Sequence, residues 1–510
     1  MTDQQERARY DFYKELITEH GEIFYAGKLL QRAASRFAHS IALISQEKQI
    51  TYKELYFRAC RFSERVKQQG IKPHDRVLLL FENSIEFYVA YFGVWQTGAV
   101  VAPLNIFLKE KELEHIVADA KPAMIAVVSH KVELFGATQI PMMTEADMDF
   151  VTPVPDQLPE FSIPVAQPHE MTVLLYTSGT TGFPKGVMLS STNIMTNILQ
   201  GLSRLPLDLG QRVFAILPLF HSFAQFAFVW GSILTGCSVI LVPKIDRRSI
   251  LEGLRHKPTI FLGVPALYGL LCLLKTADLS SVLYCICGGD TLPEKIRMAF
   301  ELVYQRKLCN GYGLTETSPV ISAHLEDNLC LANNVGRPLI GISCSIRASN
   351  GDEVPQGEIG VLWVKGDNVM LGYYNEPEKT REIIHDGFLN TGDFAMINKR
   401  GEIIICGREK DVIAHKGIKI YPPEIENVIM LHPAVIHVGV IGKPDEETGE
   451  VPIAYVQVRG KSTNLEKELR ALCNEHLASY KVPRAFIVVD AMPLTATGKV
   501  DKKVLRLQIK

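Results

Sequence analysis

The 510-residue sequence predicts an α/β protein: a large N-terminal domain of two doubly wound subdomains plus a β-barrel, followed by a small α+β C-terminal domain. Short apolar runs of strand length alternate with capped amphipathic segments as far as about Ile321, the signature of parallel sheets with helices on both faces. Six prolines between Pro141 and Pro168 interrupt that alternation and mark a long connection between subdomains near 140–170. After Gly407-Arg408-Glu409-Lys410-Asp411 the pattern changes again, so the domains are drawn at 1–407 and 412–510, joined through 408–411.

Taken in order, Thr51 caps a helix with Glu54 completing the capping box, and Leu55, Ala59, Phe62 and Val66 share one face. Val77 to Phe81 is an apolar strand, and Asn83 with Glu86 reads as a second box before a helix carrying Phe87, Ala90, Tyr91 and Val94, which Gly98 stops. Val100 to Pro103 and Met124 to Val128 are further strands, separated by a helix from Lys109 to Asp119. Alternation resumes at Met171. From about 322 to 406, Gly, Asn and short β-rich runs predict sheet and barrel, and the last domain shows helices near Glu424 to Leu431 and Leu465 to Leu477 between strands Ile436 to Ile441 and Pro452 to Val458.

Charge and cysteine usage exclude several function classes. Lys plus Arg total 54 against 56 Asp plus Glu, without a basic run, so the electrostatic footprint of a nucleic-acid binder is missing. The ten cysteines contain no C-x-x-C pair, and Cys285-Ile-Cys287 lies in an apolar run, which reads as buried reduced thiols in a cytoplasmic protein. The N-terminus has no apolar signal-peptide core. Val213 to Pro243 has no charged residue and the length of a membrane span, but Pro218, His221, Gln225, Gly231 and Gly236 break it into strand, helix and strand. No transmembrane segment is expected, which leaves peripheral contact with a membrane and a monomeric or homodimeric state open.

The strongest local signal is Tyr176-Thr-Ser-Gly-Thr-Thr-Gly-Phe-Pro-Lys185-Gly186, directly after the apolar strand Met171 to Leu175. Glycines let backbone N–H groups approach a phosphate, hydroxyls donate to its oxygens, and lysine adds a compact positive charge. The pattern is not the common P-loop, which needs Gly-Lys followed by Ser or Thr.

With further motifs in order, Leu217-Pro-Leu-Phe-His221, Asn310-Gly-Tyr-Gly-Leu-Thr-Glu316-Thr, Asp386-Gly-Phe-Leu-Asn-Thr-Gly-Asp393, Gly407-Arg408-Glu-Lys410-Asp411 and Pro493-Leu-Thr-Ala-Thr-Gly-Lys499-Val-Asp, the sequence resembles the adenylate-forming superfamily of acyl-CoA synthetases over nearly its whole length. The resemblance implies a mobile C-terminal domain and conversion of a carboxylic acid, through an acyl-adenylate made with Mg²⁺ and ATP, to a thioester of coenzyme A. Chemically, a carboxylate is a poor electrophile, and adenylation supplies a good leaving group at the cost of neutralising phosphate charge.

By the same resemblance, Thr177, Ser178, Gly179, Thr180, Thr181 and Lys185 hold the phosphates, and Thr180 with Glu316 holds Mg²⁺, with Thr315 near the phosphates. Asn310, Gly311, Tyr312 and Gly313 form one side of the nucleobase pocket, with Tyr312 stacking on adenine, and Gly288-Gly289-Asp290 forms the other. Many relatives carry a small apolar residue in place of Asp290, which reaches either the nucleoside or solvent. Asp393 accepts the ribose hydroxyls, helped by Arg408. Lys499 crosses to the active site for adenylation, Lys410 is the hinge, and Lys416 with Gly417 faces the thiol channel. Ala414 and Lys419 stand where aryl-CoA ligases often have lysine and glutamine.

No aspartate follows His221, so nothing pairs a substrate ammonium. Phe223, Phe226, Ala227 and Trp230 either line an acyl pocket or are plain core, and His221 either shapes the carboxylate entrance or is structural. A medium- or long-chain fatty acid is the expected substrate. An aryl or branched acid competes with it, an acyl carrier protein is the alternative acceptor, and a catalytically inactive binding protein is the alternative of another class.

Overall fold

The computed structural model describes residues 3–46, 48–136, 138–158, 161–164, 166–178, 184–205, 207–274, 276–325, 333–460, 464–495 and 499–508. Two mostly parallel sheets form the N-terminal domain. The first has seven strands in the order Gly372–Tyr373, Pro184–Ser190, Met171–Ser178, Val100–Pro103, Arg76–Leu80, Met124–Val127 and Met142–Met143, and only the first two run antiparallel to their neighbours. The second has nine strands, from Arg337–Pro338 through Val320–His324, Leu308–Gly313, Tyr284–Cys287, Ile260–Gly263, Arg212–Ala215, Ser238–Leu241 and Ile41–Ser45 to Lys48–Thr51.

The subdomains are therefore not sequential. Ile41–Ser45 runs parallel to Ser238–Leu241 in the second sheet, although the chain then builds the first sheet before returning near Arg212. Gly372–Tyr373, from the β-rich region, closes the edge of the first sheet. Both exchanges reach across the connection near 140–170.

The apolar stretch after Val213 is a parallel unit with Val213 opposite Val239, joined by helical segments over Ser222–Thr235. No described helix is long and apolar enough to cross a membrane. The Thr51 capping box forms as expected, with Thr51 accepting from the Glu54 N–H and Glu54 Oε2 accepting from Thr51 N–H at 2.7 Å. The second box does not. Ser84 is the cap of helix Ile85–Trp95, because Asn83 is buried and occupied elsewhere: its Nδ2 faces the carbonyls of Ala215, Leu217 and Val242 at 3.0–3.3 Å and its Oδ1 accepts from Leu219 N–H. It caps two strand ends of the second sheet just before the His221 turn.

Where the sequence predicts a barrel, the strands Ser343–Arg347, Gly360–Lys365, Phe388–Ile397, Ile384–His385 and Ile403–Arg408 form a branched antiparallel sheet over Leu362, Val364, Ala395 and Ile403. Ile403 spends its backbone groups on Val335 and Gly336, both at 2.9 Å, which ties this sheet to the second one instead. The small C-terminal domain is a five-stranded sheet, Ile418–Ile420, Ile413–His415, Gly449–Val458, Val435–Asp445 and Ala485–Val488, covered by helices Pro422–Met430 and Leu465–His476. Its contacts with the N-terminal domain include the Lys295 ammonium donating to the His432 carbonyl at 2.9 Å.

Candidate active site

The phosphate-binding candidate lies where Met171–Ser178 turns back as Pro184–Ser190, with Lys185 opposite Thr177 and Gly186 opposite Tyr176. Gly179, Thr180 and Thr181 lie outside the described residues, as does the side chain of Ser178. The base of the loop is pinned: the Tyr176 phenol donates to Asp119 Oδ2 at 2.7 Å, and Asn375 Nδ2 donates to Asp119 Oδ1 at 3.0 Å. Gly186, the residue that departs from the P-loop pattern, has a packing reason. A Cβ there would stand 2.9 Å from Leu174 Cδ1 and 3.1 Å from Tyr374 Cβ, where strand Gly372–Tyr373 joins the sheet.

Lys185 and Glu316 meet through a residue that sequence reasoning missed. The Lys185 Nζ lies 4.9 Å from the centroid of the Tyr373 ring, and the Tyr373 phenol donates to Glu316 Oε1 at 2.8 Å. Burial and the Glu316 charge push the Tyr373 phenol upward, so it stays a donor. Glu316 sits on the 3₁₀ turn Thr315–Thr317, and its carbonyl accepts from Met370 N–H at 2.9 Å. Gly313 precedes this turn by necessity, since a Cβ there would fall 1.9 Å from the Pro319 carbonyl oxygen. Thr315 Oγ1 is 3.0 Å from Ser222 Oγ, which ties the turn to the His221 segment.

At the other end, Asp393 is 4% exposed and opposes Arg408 across two paired strands. Tyr312 donates to its Oδ2 at 2.6 Å, and Arg408 Nε lies 3.6 Å from its Oδ1. Burial raises the Asp393 carboxyl, against the pull of Arg408 and Tyr312, while burial and Asp393 together raise the Tyr312 phenol. Cys287 pairs with Asn310, so Gly288, Gly289 and Asp290 leave their strand beside the Asn310–Gly313 motif. Asn310 is buried, with Nδ2 3.5 Å from the Asn334 carbonyl, and the nearest atom to a Cβ at Gly311 would be the Ser322 carbonyl oxygen at 3.5 Å.

Lys499 arrives from the C-terminal domain. Burial holds its ammonium below the usual lysine range, Asp290 opposes this, and Arg408 and Asp393 also act on it. Asp290 is exposed, and its Oδ1 accepts the N–H of its neighbour Thr291 at 2.8 Å, as the solvent-facing reading has it. His221 is pushed down to about 4 by burial, with the Lys499 charge adding. Its Nδ1 accepts from Phe223 N–H at 3.3 Å, so the neutral ring carries its proton on Nε2 as a donor. Burial, then Arg408, lowers the Lys410 ammonium. Lys416 and Gly417 stand apart, on the exposed turn between Ile413–His415 and Ile418–Ile420.

The profile of the family described as "AMP-binding enzyme" matches residues 30–374, and that described as "AMP-binding enzyme C-terminal domain" matches 424–499. The chain belongs to the AMP-binding enzyme family. Among curated relatives of this family, a long-chain-fatty-acid–CoA ligase of Bacillus subtilis (strain 168) is 32% identical over 93% of both chains. A feruloyl-CoA synthase of an Amycolatopsis species is also 32% identical, over 93% of this chain and 97% of the relative. The crystal structure of ATP-bound MatB from Rhodopseudomonas palustris superposes with a TM-score of 0.87 at 29% identity, covering 95% of this chain and 99% of that one.

For an AMP-binding enzyme the arrangement has a direct chemical reading. The buried Asp393 carboxylate, held by Tyr312 and facing Arg408, can accept hydrogen bonds from hydroxyls, and Lys185 offers an amine on the strand that follows the hydroxyl-rich loop. A hard divalent cation fits Glu316, an oxygen donor that the Tyr373 phenol holds through Oε1.

Proposed function

We propose that this enzyme activates a medium- or long-chain fatty acid with ATP and transfers the acyl group to coenzyme A, releasing pyrophosphate and then AMP. The carrying observation is geometric: the buried Asp393 carboxylate is held by the Tyr312 phenol at 2.6 Å with Arg408 at 3.6 Å, and Tyr373 donates to Glu316 at 2.8 Å while its ring faces Lys185 at 4.9 Å. A carboxylate oxygen attacks the α-phosphorus, the bond to pyrophosphate breaks, and Lys499 neutralises charge that grows on the phosphoryl oxygens. His221, a neutral Nε2–H donor, orients the substrate carboxylate. Asp393 accepts the ribose hydroxyls and Tyr312 flanks the base, with Asn310, Gly311 and Gly313 shaping that wall. Lys185, with Thr177, Ser178, Gly179, Thr180, Thr181 and Thr315, holds the phosphates. Glu316 and Thr180 would hold Mg²⁺, which when bound shields the negative charge of the polyphosphate.

Thioester formation needs the C-terminal domain to turn about Lys410, bringing Lys416 and Gly417 to the thiol. The position of the pivot is supported by Arg506, whose Nη2 donates to the Lys410 carbonyl at 3.2 Å and to Asp411 Oδ1 at 2.6 Å. These two bonds tie Lys410 and Asp411 to the C-terminal helix Lys502–Leu507, while Arg408 is paired in the N-terminal sheet, so the short 3₁₀ turn Glu409–Asp411 is where the two domains join.

For the acid, Phe223 supports an apolar tail: its ring stands 3.3 Å from where a Cβ of Gly288 would be, beside His221 and the nucleotide wall. Phe226 packs over Gly201. Trp230 is fully buried and donates to Tyr91 at 2.9 Å, so it belongs to the core. An aryl acid is the second reading, favoured by the buried Gln225 amide, whose Oε1 accepts from Tyr91 at 3.0 Å while its Nε2 has no hydrogen-bond partner among the described residues. Pyrophosphate release with saturated acids of increasing length and with hydroxycinnamates, with and without CoA, tests both. Fatty acids are expected to give the higher kcat/KM, with a CoA thioester as product. A preference for hydroxycinnamates overturns the fatty-acid reading.

A further inference from the structure

The Lys185 ammonium and the Glu316 carboxylate are opposite charges at one mouth. With nothing between them they would gain most by pairing with each other, and a polyphosphate with its metal would then have to break that pair before binding. Instead the two charges approach one tyrosine from two sides. The Tyr373 ring takes Nζ against its face at 4.9 Å, and its hydroxyl donates to Oε1 of Glu316 at 2.8 Å. The ring is itself fixed. Tyr373 pairs with Val187 across the sheet edge, its N–H donates to Thr380 Oγ1 at 2.8 Å, and the next residue's N–H donates to the Gly186 carbonyl at 2.8 Å.

We infer that Tyr373 is a positioning residue that separates Lys185 from Glu316 and presets the carboxylate to receive the divalent cation of the metal–ATP complex. The inference rests on the reading of Glu316 as the metal-holding carboxylate and adds the residue that aims it. Its hydroxyl acts on the metal side and its ring on the phosphate side, so the two functions separate by substitution. Tyr373→Phe keeps the ring under Lys185 and removes only the donor. Tyr373→His keeps an aromatic ring with an N–H donor.

The experiment is a titration of Mn²⁺, followed by electron paramagnetic resonance, into the full-length protein with ATP and no acid substrate. ATP affinity is measured in parallel in EDTA, and thermal unfolding confirms that each variant is folded. Loss of a hydrogen bond to a charged group predicts about tenfold weaker Mn²⁺ binding for Tyr373→Phe, with metal-free ATP affinity held within about twofold because the cation–π contact remains. Tyr373→His recovers part of the Mn²⁺ affinity. Glu316→Gln is the reference for loss of the ligand itself. If Glu316→Gln weakens Mn²⁺ binding while Tyr373→Phe matches the wild type, the role given to Tyr373 is wrong and the metal assignment stands. If neither substitution changes Mn²⁺ binding, the metal assignment fails and the inference fails with it. Should Tyr373→Phe not fold, Tyr373→His alone decides: Mn²⁺ affinity equal to that of Glu316→Gln overturns the inference, and an intermediate value supports it.

Discussion

The two ends of the site are built in different ways. The end proposed for the nucleoside is assembled from strands: Asp393 and Arg408 oppose each other in one ladder, Tyr312 lies one residue before the end of a strand of the second sheet, and the 2.6 Å bond between Tyr312 and Asp393 joins the two. Lys499 instead is held within its own domain, by the Thr495 N–H donating to the Lys499 carbonyl at 2.7 Å and the Leu494–Val500 bridge. The first end is held by both layers of the large domain, whereas in the proposed mechanism the second would depend on how the small domain is turned. A fixed wall serves both half-reactions, because the adenylate occupies it in each. A charge carried on a movable domain serves only the half-reaction for which it is present.

That difference is sharpest at Lys499. Lys499→Ala is expected to slow adenylation by roughly 10²–10³, the cost of removing a preorganised charge stabiliser, while thioester formation from supplied acyl-adenylate is spared. Pyrophosphate release and thioester synthesis measured separately check this, and equal loss of both would put Lys499 on the fixed wall. Asp393→Ala is the converse. It strips the partner from Tyr312 and Arg408 and should raise the KM for ATP and weaken acyl-adenylate binding by roughly tenfold or more, so that both half-reactions suffer. A change confined to one of them would break the comparison.

A smaller effect is expected between the two regions. Lys410→Pro fixes one backbone torsion at the pivot, and should slow thioester formation by roughly tenfold while leaving adenylation nearly untouched. Rapid-quench measurement of the two steps distinguishes this from a general loss. Unchanged turnover would move the pivot away from Lys410.

How much of this was legible in the sequence follows from what each feature depends on. The Thr51 box and the strands from Val77 onward are local, and they form as the pattern predicts. Asn83 failed as a cap because tertiary acceptors at Ala215, Leu217 and Val242 outbid a local turn, and no window around Asn83 contains them. The exchange of Ile41–Ser45 into the second sheet is likewise a long-range pairing. The family resemblance implied one site for Asp393, Arg408, Tyr312 and Lys499, of which the first three are in direct contact, but Tyr373 lay in a Gly-Tyr-Tyr run with no chemistry of its own. Only its pairing with Val187 carries it to Lys185, and a glycine at 186 that admits the neighbouring Tyr374 is the one local trace of that pairing.

The smallest expected effect is a displacement on the pH axis. The proposed role of Lys499 needs its cation, and burial disfavours the cation, so its proton is lost at lower pH than from an ordinary lysine near about 10.4. The alkaline fall of kcat/KM for adenylation, which reports the free enzyme, should therefore lie below the lysine range, and thioester formation from supplied adenylate should not share it. Asp290 supports the charged form from the large domain, so Asp290→Asn should move that fall further down in pH. His221, neutral above about 4, contributes no limb between neutral and alkaline pH. If Asp290→Asn leaves the profile in place, Asp290 does not act on the arriving lysine, and the fixed wall contributes less to receiving the mobile domain than its charges imply.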